Sequence, residues 1–115
     1  MARKGYSKYK SKKVKMGDLT FDSIRERNRW CDLQLLEKAG EICKLERQVP
    51  FYLEGRDGPI LTPTGRKMRY IADFTYVDWR RDGAKVVEDS KGFKTPEYLI
   101  KKAVLAAQGI YIQEV

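Results

Sequence analysis

The stretch from Tyr70 to Lys94 constrains this chain more than any other. Two runs rich in β-branched and aromatic residues, Tyr70–Trp79 and Ala84–Ser90, flank an Asp82-Gly83 turn signal and read as a β-hairpin. Side chains alternate across a strand, so Asp89 and Lys91 share one face of the second arm while Glu88 and Ser90 face the other way. Loop length decides where Asp73 of the first arm falls. A two-residue loop at Asp82-Gly83 would turn Asp73 to the opposite face, because a one-residue register change flips every side chain. A three-residue loop, Arg81-Asp82-Gly83 with a left-handed Gly83, pairs Arg80 with Ala84 and sets Asp73 near Lys91. The expectation is two carboxylates and an ammonium on one face of a sheet.

Two carboxylates in close contact repel, and a bound divalent cation relieves the conflict. All-oxygen ligands suit Mg²⁺ (or Mn²⁺), which is commonly held by one or two carboxylates together with substrate phosphate. Such a metal lowers the pKa of a bound water and polarises a phosphoryl oxygen. Lys91 would then orient the attacking water or offset charge developing on phosphate. The competing reading of Asp73, Asp89 and Lys91 is an ordinary ion-pair cluster on a solvated sheet face, since Asp-x-Lys is a common tripeptide.

Asp73 followed across the hairpin by Asp89-Ser90-Lys91 resembles the PD-(D/E)XK nuclease signature. More narrowly, Phe21-Asp22-Ser23-Ile24-Arg25-Glu26, then Ala72-Asp73-Phe74, then Val87 to Gly92 and a following Lys-bearing helix resemble a family of small bacteriophage proteins. That family is similar to phage Holliday-junction resolvases of the endonuclease I kind. The resemblance spans about residues 5–112. Ala72 stands where the superfamily name has proline, and Asp89 where many members have glutamate. The resemblance implies a restriction-endonuclease-like α/β (mixed α+β) core of helix, three strands, helix and strand, a mixed sheet flanked by helices. It also implies that Glu26, Asp73 and Asp89 hold the metal, with the backbone carbonyl of Ser90 as a further ligand, and that Lys91 assists catalysis.

The N-terminus carries a separate signal. Of the 24 basic residues, seven (Arg3, Lys4, Lys8, Lys10, Lys12, Lys13 and Lys15) lie in the first fifteen positions, and the 17 that remain nearly balance 16 acidic ones. The net charge of +8 is therefore a property of the arm. Interleaved with Tyr6 and Tyr9, residues 1–17 read as a basic flexible nucleic-acid-binding arm ahead of one nuclease domain, 18–115. A solubilising tail is the alternative. The chain has no histidine and no CxxC, which removes zinc fingers and His-dependent hydrolases; Cys31 and Cys43 read as reduced, buried thiols, with a disulfide or a reactive thiol as the alternative. No apolar run reaches the ~18 residues needed to cross a membrane, so a cytoplasmic protein is expected.

Between these landmarks, Ser23 opens a helix of about sixteen residues that Gly40 closes, with Ile24, Trp30, Cys31, Leu33, Leu35 and Leu36 as its apolar face. Ser23-x-x-Glu26 has capping-box spacing, so Glu26 is read either as a helix cap or as a metal ligand. Arg25, Arg27 and Arg29 read as solvated or phosphate-facing. Residues 42–54 read as an edge strand interrupted by Pro50, with Gln48 first a satisfied surface residue and alternatively one facing the active side, and 55–66 as a loop. Thr95-Pro96-Glu97 starts a helix running to about Gln108, whose Tyr98, Leu99, Val104, Leu105 and Ala106 would cover the sheet. Its Lys101 and Lys102 read either as phosphate-approaching or as solvated. A last strand closes the chain at 110–115.

The functional expectation is a Mg²⁺-dependent endodeoxyribonuclease acting on branched DNA as a two-fold homodimer. The competing readings are a nickase or restriction-like nuclease without junction preference, and a non-catalytic DNA-binding module.

Overall fold

The computed structural model describes residues 13–90 and 94–115. Its centre is a four-stranded mixed sheet in the order β3-β6-β7-β8. β3 (Ile42–Tyr52), β6 (Arg69–Asp78) and β7 (Ala84–Asp89) run antiparallel, and β8 (Ile112–Glu114) lies parallel to β7. Helix α1 (Ile24–Lys38) precedes β3, and α2 (Pro96–Ala107) makes the crossover from β7 to β8. The order helix, three strands, helix, strand in a mixed α/β layer is the one the sequence implies. Two small hairpins complete the fold: β1 (Val14–Met16) with β2 (Leu19–Phe21), and β4 (Glu54–Gly55) with β5 (Gly58–Pro59).

Each helix starts where its chemistry dictates. Ser23 caps α1, its Oγ accepting from the Glu26 N–H at 3.0 Å, and Gly40 follows the C-cap with φ +79°. Thr95 caps α2 by accepting from the Tyr98 N–H, with Pro96 in the first turn. Among the described residues, buried apolar side chains form two clusters. One gathers Leu33, Ile42, Phe74, Tyr76 and Val86 with Trp30 of α1, whose ring stacks on Phe74 at 5.9 Å. The other joins Leu53, Tyr70, Ala72 and Ile112 to Tyr98 and Leu105 of α2. The apolar face expected on α1 is narrower than its sequence suggests, since Ile24 and Leu35 are exposed, and on α2 Leu99 is half exposed.

β3 is an edge strand, where a residue without an N–H costs least, and Pro50 sits there opposite Ile71. The strand is irregular: its register shifts between Cys43 and Glu46, and Lys44 and Gln48 take positive φ (55° and 53°). Three details differ from the sequence expectation. The β6–β7 loop has five residues, Trp79–Gly83, because Asp78 pairs with Ala84. Asp78 is buried and caps a 3-10 turn at Trp79–Arg81, accepting from the Arg80 N–H and guanidinium; Asp82 (φ 57°) and Gly83 (φ 78°) complete the reversal. The loop is longer by two, so face parity survives, but the register continues Asp73 toward Asp89 rather than Lys91. The boundary at residue 17 falls inside the β1–β2 hairpin, so the end of the arm is strand. Within 55–66, β4 and β5 form a hairpin, and Leu61 bridges to Lys67.

Cys31 and Cys43 are both free thiols. Among the described residues no helix is long and apolar enough to cross a membrane.

Candidate active site

The pairing of β6 with β7 ends at Phe74–Glu88. Beyond that point β7 pairs with β8 instead, Asp89 opposite Glu114. Asp73 sits at this divergence, and its Oδ2 accepts from the Ser90 N–H at 2.9 Å, a side-chain bond that takes over where the backbone ladder stops. Asp89, next in line on β7, is buried at 1% exposure.

Glu26 reaches the same place from the first turn of α1 and is also buried, at 2% exposure. Its two oxygens do different work. Oε1 accepts from the Asp22 N–H at 3.1 Å, satisfying backbone one residue upstream of the cap, and Oε2 accepts from Gln48 Nε2 at 3.1 Å. Cap and site are thus shared between the oxygens of one carboxylate. Burial first, and then the charge of Asp73, pushes the Glu26 carboxyl up to about 7, against the partial relief of the Asp22 N–H and Arg47. The Tyr98 hydroxyl is pushed up by burial, by its bond to Glu114, and by the charges of Asp89 and Asp73. The charge of Asp73 thus acts on both Glu26 and Tyr98.

Two neighbours of Glu26 belong to β3 and were not assigned to the site by sequence reasoning. Gln48 is exposed and satisfied, as its surface reading has it, and the acceptor that satisfies its amide is Glu26 Oε2. Arg47 lies 4.0 Å from the same oxygen, with its guanidinium 4.3 Å above the Phe21 ring and donating to the Thr20 carbonyl. Their sequence signal is slender: Arg-Gln on the strand that pairs with the strand bearing Asp73.

The remaining site residues separate. Arg29 is no solvated cation: it donates to both oxygens of fully buried Glu88, which also accepts from the Tyr76 hydroxyl at 2.6 Å. That bond and burial push Tyr76 up to about 12. Lys102 donates to Glu114 at 2.9 Å, alongside Tyr98 at 2.7 Å, and Lys94 lies 3.1 Å from the same carboxylate. Lys101 donates to the Arg69 carbonyl and pairs with Glu97, each at 2.9 Å. Both helix lysines are therefore engaged by partners within the protein. Lys13 pairs with Asp22 at 2.8 Å, and Lys15 is exposed on β1. Arg3, Lys4, Lys8, Lys10, Lys12 and Lys91 lie outside the described residues.

Among the described residues no three His, Cys, Asp or Glu side chains converge as a ready metal cage. In kind, the donors Glu26, Asp73 and Asp89 nonetheless fit a hard divalent cation, which takes one or two carboxylates and completes its shell with water and phosphate. Burial and, after it, the charge of Asp73 raise the Glu26 carboxyl, and a cation at this point would relieve both. The comparisons with curated proteins and with solved structures returned no match. One family model matches residues 6–114, nearly the whole chain, and by that match the protein belongs to the family described as protein of unknown function, DUF1064.

Proposed function

We propose that this protein is a divalent-cation-dependent endodeoxyribonuclease whose site is Glu26, Asp73 and Asp89 at the point where β6 and β7 diverge. The observation that carries the reading is a pair of almost fully buried carboxylates, Glu26 and Asp89, with Asp73 held by the Ser90 N–H where β6 leaves β7, and with burial and the charge of Asp73 raising Glu26 to about 7. A purely structural ion-pair cluster would match each buried carboxylate with a cation, as Glu88 is matched with Arg29. Glu26 instead meets an amide, a backbone N–H and a guanidinium no closer than 4.0 Å.

Mg²⁺ or Mn²⁺, when bound, would supply Lewis-acid polarisation of the phosphodiester and a more acidic water. The chain's own residues do the rest. Asp73 and Asp89 would hold the ion, with the Ser90 N–H fixing the rotamer of Asp73. Glu26 would contribute Oε2, the oxygen bound to the movable Gln48 amide, while Oε1 stays on the helix cap. Lys91, next in the chain after Ser90, would assist the attacking water. The basic arm would add sequence-independent, salt-sensitive affinity for DNA. Symmetric cutting of a four-way junction requires two such sites, hence a two-fold homodimer, acting in the cytoplasm of a phage-infected host.

The test is cleavage of labelled four-way junction and linear duplex DNA side by side in Mg²⁺, Mn²⁺ and EDTA. Metal-dependent cutting of the junction alone supports the resolvase-like reading. Equal cutting of linear duplex keeps the nuclease and removes the junction preference. Binding without cutting in either metal replaces the enzyme with a DNA-binding module.

A further inference from the structure

On the α2 side of the site the chain forms an open groove of about 510 Å³ between the segment 62–71 and the first turns of α2. One wall carries Arg66, Lys67 and Arg69, all exposed and without an ion pair among the described residues. The facing wall carries Glu97 and Lys101, which neutralise one another. Lys101 also ties the walls together by donating to the Arg69 carbonyl. The groove therefore has three uncompensated cations. Tyr98 also lines the groove, and its hydroxyl donates to Glu114, the residue that stands opposite Asp89 on β8. These three cations stand on the chain well apart from the basic arm.

We propose that this groove carries the sugar-phosphate backbone of the DNA strand leading to the carboxylates. The inference rests on the nuclease reading for the destination of the strand, and on charge and position for its path. Cations spaced along one wall of an open groove match the repeating charge of a nucleic-acid backbone. An anionic strand running from Arg66 toward Tyr98 meets neutralising charge until it reaches the carboxylates. There the field reverses, and a phosphate is accommodated only with a cation between. The groove thus binds the flanking phosphates while the carboxylates, with a metal, take the scissile one.

The experiment is fluorescence-anisotropy binding of labelled duplex DNA to the full chain in Ca²⁺ or EDTA across about 50 to 200 mM salt, with cleavage in Mg²⁺ measured in parallel. The groove variant Arg66→Gln, Lys67→Gln, Arg69→Gln is compared with a charge-matched control, Lys38→Gln, Lys44→Gln, Lys85→Gln, and with the conservative Arg66→Lys, Arg69→Lys. The groove variant should bind about 10- to 100-fold more weakly at about 0.1 M salt, with a salt slope smaller by about 2–3. The control and the conservative variant should bind like wild type. Wild-type affinity in the groove variant, or an equal loss in the control, overturns the proposal. If wild type cuts DNA and the groove variant binds normally, the nuclease reading stands and the groove falls. If the groove variant alone loses affinity but wild type never cuts, the groove stands and the hydrolytic reading falls.

Discussion

Glu26 makes the residue-scale consequences sharpest. Its folded pKa of about 7 lies above the ordinary 4.5, so the folded chain holds this proton more tightly than the unfolded one. The stability associated with that proton is present at low pH and is lost as pH rises from about 4.5 to about 7. In chelator, Glu26→Gln should flatten this part of the pH–stability curve and gain about 1–2 kcal/mol at pH 8, read by urea denaturation. A glutamine still accepts from the Asp22 N–H, and a turned Gln48 amide can accept from it, so the cap survives. The same change should abolish cation-dependent stabilisation and cleavage. Arg29 gives the opposite case. Truncating it to alanine leaves Glu88 buried without its cation, at a cost of about 3–5 kcal/mol at neutral pH. In the sequence these two residues were hard to tell apart in importance. Glu26 was visible through capping-box spacing, whereas Arg29 and Glu88 lie 59 positions apart and meet only because α1 packs across β7. No local pattern encodes that.

At the scale of elements, the turn joining β6 to β7 sets the geometry of the site. Gly83 has φ +78°, and a Cβ there would lie 2.9 Å from the Trp79 ring. Gly83→Ala should therefore cost about 1–2 kcal/mol, seen as a lower midpoint in thermal or urea unfolding. The hairpin, both helices, their capping residues and the closing strand were legible from local signals: β-branched runs, Ser23, Thr95-Pro96 and Gly40. The loop length was not, because it depends on Asp78 turning inward to hold Arg80 and Arg81, a choice that Asp-Gly turn chemistry does not report. Parity rescued the site nonetheless: a loop longer by two residues keeps Asp73 and Asp89 on a common face while changing which residue stands opposite. The β1–β2 hairpin was masked by the composition of the basic arm, and β4–β5 by glycine and proline that read as loop. Glu114 closes the element-scale picture. Bonds from Tyr98 and Lys102 and the charge of Lys94 bring its carboxyl down to about 2. A depressed carboxyl contributes stability that is complete above the ordinary 4.5 and is lost as pH falls toward 2. Glu114→Gln should lower stability by about 1–2 kcal/mol at pH 7 and by much less near pH 2.

For the whole molecule, charge is divided by sign and by place. Cations gather in the amino-terminal arm and along the groove beside α2, and carboxylates gather where the central strands part. That division suits a polyanionic partner bound over a wide surface and a divalent cation held at one point. Linkage makes the second half measurable without DNA. Mg²⁺ or Mn²⁺ should raise the thermal midpoint of wild type in a concentration-dependent way, and the increment should vanish in Asp73→Asn. The most direct measurement is hydrolysis and binding of the same labelled DNA by wild type and Asp73→Asn in Mn²⁺. Asp73 is the carboxylate that the Ser90 N–H fixes and whose charge acts on Glu26, so its neutralisation should reduce the rate at least about 100-fold while DNA affinity stays within about twofold. Undiminished hydrolysis by Asp73→Asn would contradict the assignment of the site.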